Sequence, residues 1–95
     1  MRYEWDENKN NRNEADHHIG FEALERFEWA TAVVNIDDRE VYGELRETAL
    51  GFIGERLHFL VYVTMDDDSI RAISLRRASN NEKRRYVDER KREMD

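Results

Sequence analysis

The chain has 95 residues, of which 39% are hydrophobic and 40% are charged, so it can form one small core and no second one. The absence of cysteine excludes disulfides, thiolate metal sites and cysteine nucleophiles. A net charge of −6 argues against a protein that coats nucleic acid non-specifically, and no apolar run reaches the roughly 18 residues of a membrane span. The first residues also lack the apolar core of a signal peptide, so we expect a cytoplasmic protein with a single domain over residues 1–95.

The hydrophobic pattern predicts an α+β fold with the order β-α-α-β-β-β-β-α. Residues 1–5 alternate as a short strand, and Asp6 is a candidate N-cap for a polar helix that ends at about His17. A second helix is expected over residues 21–30 because apolar side chains recur there at helical spacing.

The remaining elements are predicted from alternation and from turn residues. Strands are expected at 33–36, 46–53, 56–64 and 69–75, with turns at 37–39, 54–55 and 66–68. Ser79 and Glu82 have the spacing of a capping box, which predicts a last, basic helix that frays after about residue 90. We therefore expect an antiparallel four- to five-stranded sheet with two N-terminal helices and one basic C-terminal helix on one side.

Positive charge is concentrated where the last strand meets the last helix. Between Arg71 and Arg92 there are nine Lys and Arg against three acidic residues, a balance of +6. Residues 1–70 hold seven basic and seventeen acidic residues, a balance of −10. This distribution indicates that the strand–helix corner acts on something anionic.

Five segments, in the right order along nearly the whole chain, resemble the BrnT family of bacterial type II toxins. They are Tyr3-Glu4-Trp5-Asp6-Glu7-Asn8-Lys9, then Asn13 with His17-x-Ile19-x-Phe21, then Tyr42-Gly43-Glu44-x-Arg46, then Ala49-Leu50-Gly51, and finally Ile70-Arg71-x-Ile73-Ser74-x-Arg76-x-Ala78 with Glu82 and Tyr86. Two positions depart from the family pattern: Asp16 stands where the family usually has Lys, and His18 where it usually has Gly.

The resemblance implies a fold similar to the RelE-like ribonuclease toxins and an RNA-cleaving activity that inhibits translation. It also implies neutralisation by a BrnA-like antitoxin that carries a ribbon-helix-helix DNA-binding domain. Toxin and antitoxin together would repress their own operon, so operator DNA is expected to be contacted only through the antitoxin. No cofactor, metal or membrane partner is expected.

RNA cleavage without metal needs a base for the 2′-hydroxyl, a cation for the phosphorane and an acid for the leaving 5′-oxygen. His17 is the candidate acid or base because imidazole exchanges protons near neutrality. Arg71 and Arg76 are the candidate phosphate ligands, since a guanidinium can bind two phosphate oxygens at once. The other candidates are Lys9, Glu44 and Arg46 for the catalytic site, and Arg77, Lys83, Arg84 and Arg85 for RNA binding.

Strand alternation leaves the relation between the two arginines open. In a regular strand, Arg76 would share a face with Ser74 and Arg77 would share the opposite face with Arg71. Either the strand ends by Leu75 and the chain bends, or the arginines serve different surfaces.

Plainer interpretations also stay open. Each arginine can be a surface ion pair, which is worth about 0–1 kcal/mol, and His17 can be a helix-end residue favoured by the helix dipole. At the level of function, the alternatives are a non-catalytic binding module and a decayed toxin that retains only antitoxin binding.

Overall fold

The computed structural model describes residues 1–37 and 43–94, so the turn predicted at 37–39 lies mostly outside the described residues. In chain order the elements are β1 (Tyr3–Glu4), α1 (Glu7–His17), two 3-10 segments (Phe21–Arg26 and Trp29–Thr31), β2 (Val33–Asp37), β3 (Arg46–Ile53), β4 (Arg56–Thr64), β5 (Ile70–Arg77) and α2 (Asn80–Met94). No helix within the described ranges has the length and apolar character needed to cross a membrane.

The five strands form one sheet in the order β1-β5-β4-β3-β2. Strands β2 to β5 pair antiparallel, as predicted, whereas β1 pairs parallel with β5 through Tyr3 and Glu4. The β3–β4 hairpin turns at Gly54, whose φ of 63° is a left-handed conformation that glycine adopts without strain. The α+β class is confirmed, and the sheet is mixed rather than wholly antiparallel.

Helix α1 has the bounds and the cap that its sequence predicts. The Asp6 carboxylate accepts hydrogen bonds from the backbone N–H groups of Asn8 and Lys9, at 2.8 and 3.3 Å. The helix ends at His17, and the capping residue His18 has a φ of 60° and donates its backbone N–H to the Glu14 carbonyl at 2.9 Å. A residue with a side chain costs roughly 1 kcal/mol in this conformation, so His18 ends the helix less favourably than glycine would.

The second predicted α-helix, over residues 21–30, is wrong. The segment forms two short 3-10 turns, because backbone groups that an α-helix would use for its own hydrogen bonds pair with strand β3 instead. Phe27 forms an isolated bridge with Ile53, and the N–H of Glu28 donates to the carbonyl of Phe52 at 2.9 Å. These contacts interrupt the helical path after Arg26.

The sheet carries a separate apolar cluster on each face, because successive strand residues point in opposite directions. One cluster contains Phe21, Leu24 and Leu60 and is covered by the 3-10 segments. The other contains Leu50 and Leu57 and is covered by Tyr86 of α2. The expectation that all helices lie on one side is therefore wrong. Helix α2 continues to Met94, past residue 90 where fraying was expected.

Candidate active site

A β-bulge in β5 resolves the relation between the two arginines. Ser74 pairs with Val61 and Ala72 pairs with Tyr62, so Ile73 is an extra residue opposite β4. The bulge inverts the alternation after Ala72, and Leu75 joins Ala72 in the first apolar cluster. Arg71 and Arg76 therefore lie on the same face of the sheet. The expectation for a regular strand, that Arg77 shares a face with Arg71, is wrong.

A first cleft, named cleft A here, lies between α1 and the sheet and has a volume of about 370 Å³. Its polar lining consists of Lys9, Arg12, Asn13, Asp16 and His17 from α1 and Arg46 from β3. Ile73 and Ser74 of the bulged strand complete it. Three of the predicted catalytic residues thus come together: Lys9 and His17 of α1, and Arg46, which is distant from them in sequence.

The carboxylate of Glu44 joins the edge of cleft A to Arg71. One Glu44 oxygen accepts a hydrogen bond from Arg71 Nη2 at 2.6 Å, and the other lies 3.7 Å from Arg46 Nη2. Arg46 is the more buried of the two arginines, with 17% of its side chain exposed against 39% for Arg71. Glu44 can therefore hold Arg46 and Arg71 in fixed positions beside the cleft.

A second cleft, named cleft B, adjoins cleft A at the end of α1 and has a volume of about 670 Å³. Asp16 and His17 line both clefts. The remaining polar lining of cleft B comes from two histidines and four arginines: His18, His58, Arg26, Arg56, Arg76 and Arg77. Cleft B is therefore the more cationic of the two.

His58 is buried in the wall of cleft B, with 5% of the residue exposed. Burial lowers the pKa of His58, and the positive charges of Arg77 and Arg56 act in the same direction. These effects outweigh the hydrogen bond of 2.9 Å that joins its Nδ1 to the carbonyl of Arg56. The neutral imidazole is favoured, as expected for a structural histidine within an apolar strand.

Arg76 is fixed between the sheet and α2. It donates two hydrogen bonds to the Glu82 carboxylate, at 2.8 and 2.9 Å, and its guanidinium lies 4.6 Å from the centroid of the Phe59 ring. The Arg76 hydrogen bonds hold the pKa of Glu82 below its ordinary value, against burial, and the Ser79 N–H assists them. Glu82 and Ser79 also form the predicted capping box.

The structure separates the predicted residues into groups. Lys9, His17 and Arg46 line cleft A, Glu44 and Arg71 flank it, and Arg76 and Arg77 line cleft B. Lys83, Arg84 and Arg85 line neither cleft: Lys83 lies in an apolar groove beside Tyr86, Arg84 bonds to Asn81, and Arg85 lies 4.0 Å from Glu89. Their role in RNA binding stays a prediction.

Sequence reasoning missed four cleft residues that carry charge or a hydroxyl: Arg12, Arg26, Arg56 and Ser74. Arg12 could have been found, because it lies three residues after Lys9 and therefore one turn from it on the same side of α1. Arg26 and Arg56 gave no such signal, since the fold alone brings them together. Within residues 1–37 and 43–94, no group of three or more His, Asp or Glu side chains is placed to hold a metal ion.

These features define a small α+β protein with a mixed five-stranded sheet and two adjoining cationic clefts at a histidine. The family model described as "Ribonuclease toxin, BrnT, of type II toxin-antitoxin system" matches residues 5–82. The chain therefore belongs to the BrnT family, as its sequence motifs predicted, and type II membership implies an antitoxin partner.

One solved structure supports the same relationship. The fold is similar to the 1.1 Å crystal structure of the Brucella abortus ribonuclease toxin BrnT, with a TM-score of 0.68 and 26% sequence identity. The match covers 84% of this chain and 99% of that one. A comparison with curated proteins gave no match.

Proposed function

We propose that this chain is a metal-independent endoribonuclease toxin that inhibits translation in the cytoplasm. The observation that carries the proposal is the convergence of Lys9, His17 and Arg46 in cleft A. The imidazole can move a proton, and the two cations, one from α1 and one from β3, can stabilise an anionic phosphorus centre.

The proposed reaction is an internal transesterification. The 2′-hydroxyl oxygen attacks the adjacent phosphorus while a base removes its proton, and the bond between phosphorus and the 5′-oxygen breaks as that oxygen is protonated. The products are a 2′,3′-cyclic phosphate and a 5′-hydroxyl, with no change in oxidation state. His17 is proposed to exchange the proton, and Lys9 and Arg46 to stabilise the phosphorane.

Arg71 and Glu44 are proposed to support this set from the side of the sheet. Glu44 lies between the two arginines, so it can position Arg46 while Arg71 contacts a phosphate near the mouth of the cleft. Arg76 is given a different role, because both of its Nη atoms already bind Glu82. We propose that it orders the joint between β5 and α2 beside the RNA.

The partner is proposed to be a BrnA-like ribbon-helix-helix antitoxin, which would neutralise the toxin and contact operator DNA on behalf of the complex. Type II family membership supports an antitoxin. A net charge of −6 supports the proposal that the antitoxin, and not this chain, contacts the DNA, because an acidic chain is poorly suited to bind duplex DNA along its length.

The test is cleavage of end-labelled RNA by purified protein in EDTA. His17→Ala is expected to lower the cleavage rate at least ~100-fold, and Lys9→Ala at least ~10-fold. Both residues are exposed, so the variants should fold. Lys91→Ala is the matched control, since Lys91 is an exposed lysine of α2 that lines neither cleft.

The outcomes separate the parts of the proposal. Cleavage that EDTA abolishes would contradict the metal-independent mechanism. Equal cleavage by the wild type and both cleft variants would place the reaction outside cleft A or in a contaminant.

A second candidate, a decayed toxin that retains antitoxin binding, is favoured by one observation. The carboxylate of Asp16 lines cleft A at the position where the family resemblance implies a lysine. Absence of RNA cleavage by the wild type, together with cleavage by the Asp16→Lys variant, would establish this candidate. Absence of cleavage by both the wild type and the variant would favour a non-catalytic binding module.

A further inference from the structure

We infer that cleft B binds the phosphate backbone of the RNA strand next to the scissile bond, so that the substrate passes from cleft A beside His17 into cleft B. This inference rests on the proposed ribonuclease function and extends it, because it assigns the substrate a path and a second binding subsite. The ligand class is single-stranded RNA of several nucleotides.

The two clefts are continuous at the end of α1. Asp16 and His17, in the last turn of α1, line both of them, so no separate element divides the clefts there. A strand whose scissile phosphate lies beside His17 can therefore place neighbouring phosphates in cleft B. A short substrate that fills cleft A would not reach that far.

Cleft B also contains arginines that form no ion pair with the described part of the chain. Arg26, Arg56 and Arg77 are exposed, and no carboxylate within residues 1–37 and 43–94 forms an ion pair with any of them. Among the residues that the structure describes, Asp16 is the single acidic one that lines cleft B. In a chain with 22 Asp and Glu against 16 Lys and Arg, three arginines that line one cleft with no ion pair among the described residues favour an anionic ligand.

The backbones that carry these arginines are fixed by the fold. His58 pairs with Arg77 across β4 and β5, and its ring bonds to the carbonyl of Arg56. Arg76, held by Glu82, closes the side of the cleft towards α2. Arg56 and Arg77 are therefore presented from paired strands, and Arg26 from the end of a 3-10 segment, which lowers the entropic cost of holding a phosphate.

An acidic segment of the antitoxin is the other ligand that this charge would accept. RNA is favoured because cleft B opens directly beside His17, and a protein ligand gains nothing from that continuity. A phosphate backbone also offers repeated anions that three separate arginines can match.

The experiment measures fluorescence anisotropy of labelled oligonucleotides in which 2′-O-methyl groups prevent cleavage. A ten-nucleotide strand is compared with a three-nucleotide strand for the wild type and for the double variant Arg26→Ala/Arg56→Ala. The control is Lys91→Ala/Arg92→Ala, which removes the same charge from exposed positions of α2 outside both clefts.

The double variant is expected to bind the longer strand at least ~10-fold more weakly, and its slope of log affinity against log salt should fall by about 1.4, or 0.7 for each lost phosphate contact. The affinity for the three-nucleotide strand and the behaviour of the control should change little.

Unchanged binding of the longer strand by the double variant would overturn the inference. Loss of antitoxin binding with RNA binding intact would also overturn it and assign cleft B to the protein partner. Weaker binding of the long strand alone, when the wild type cleaves no RNA in EDTA, would support the subsite and refute the proposed metal-independent cleavage separately.

Discussion

Of the described part of the chain, one carboxylate, that of Asp16, lies among the cations where the two clefts meet. Its negative charge repels an incoming phosphate and partly offsets Lys9 and Arg46, so it opposes the function that the other residues support. At a few ångströms in a solvated cleft, such a repulsion is worth on the order of 1 kcal/mol.

Asp16→Asn is therefore expected to raise the rate of RNA cleavage about fivefold, because it removes on the order of 1 kcal/mol of repulsion while keeping the size of the side chain. The measurement is the initial rate of cleavage at low substrate concentration. Asp66→Asn, in the turn between β4 and β5, is the control for a change of one charge unit. A rate that falls in Asp16→Asn would show instead that the carboxylate helps to position His17 or a cation.

The attachment of α1 to the sheet depends on one buried amide. Strand β1 pairs with β5 only at Ile70 and Arg71, so the edge of β5 at Leu75 needs another partner. Asn13 supplies it: its side chain donates to the Leu75 carbonyl at 2.8 Å and accepts the Leu75 N–H at 3.0 Å. The same amide group also donates to the carbonyl of Ile19 at 2.9 Å.

Asn13→Ala is expected to lower the free energy of unfolding by about 2 kcal/mol, because it leaves buried backbone groups of β5 without partners. Urea unfolding followed by circular dichroism measures this difference. Asn11→Ala, at an exposed position of the same helix, should change the stability by less than about 0.5 kcal/mol. Equal midpoints for the two variants would mean that water replaces the amide and that α1 is held by other contacts.

The elements with a strong local signal could be predicted from the sequence. Strands β3 and β4 have the predicted bounds, because alternating apolar residues flank a glycine that must adopt a left-handed turn. Helix α1 was predicted from its cap at Asp6, which acts through residues two and three positions away. In each case the information that determines the element lies within a few residues of it.

The structural features that could not be predicted from the sequence depend on contacts between distant residues. The bulge at Ile73 has no glycine or proline to mark it, so the shared face of Arg71 and Arg76 could not be predicted. The 3-10 turns arise because Ile53 and Phe52 bind the backbone of Phe27 and Glu28. Cleft B likewise combines segments whose charges look like ordinary solvated surface in the sequence.

At the scale of the whole molecule, one sheet supports two apolar clusters on opposite faces, and ionisable groups are built into both sides. His58 lies in the central strand β4, and Glu82 joins α2 to β5 through Arg76. Both groups have a lowered pKa in the folded state, so both make the stability of the entire fold depend on pH.

The signs and the pH windows follow from the two residue types. Above pH 6.5, His58 is neutral in the folded and unfolded chains and gives no pH dependence; as pH falls below 6.5, the unfolded chain binds a proton that the folded chain does not, and stability decreases until the lowered pKa is reached. The stability that ionised Glu82 contributes is fully present above pH 4.5 and is lost as pH falls through its lowered pKa.

The upper window can be assigned to His58 with one substitution. His58→Asn removes the titrating group, while the Asn amide can still donate to the carbonyl of Arg56. The difference in unfolding free energy between about pH 8 and about pH 5.5 should be smaller in the variant than in the wild type, because the other histidines are present in both proteins and cancel. Urea titrations at the two pH values measure it. An equal difference in both proteins would mean that His58 becomes protonated within the fold at no cost, and that cleft B admits enough water to solvate its ring.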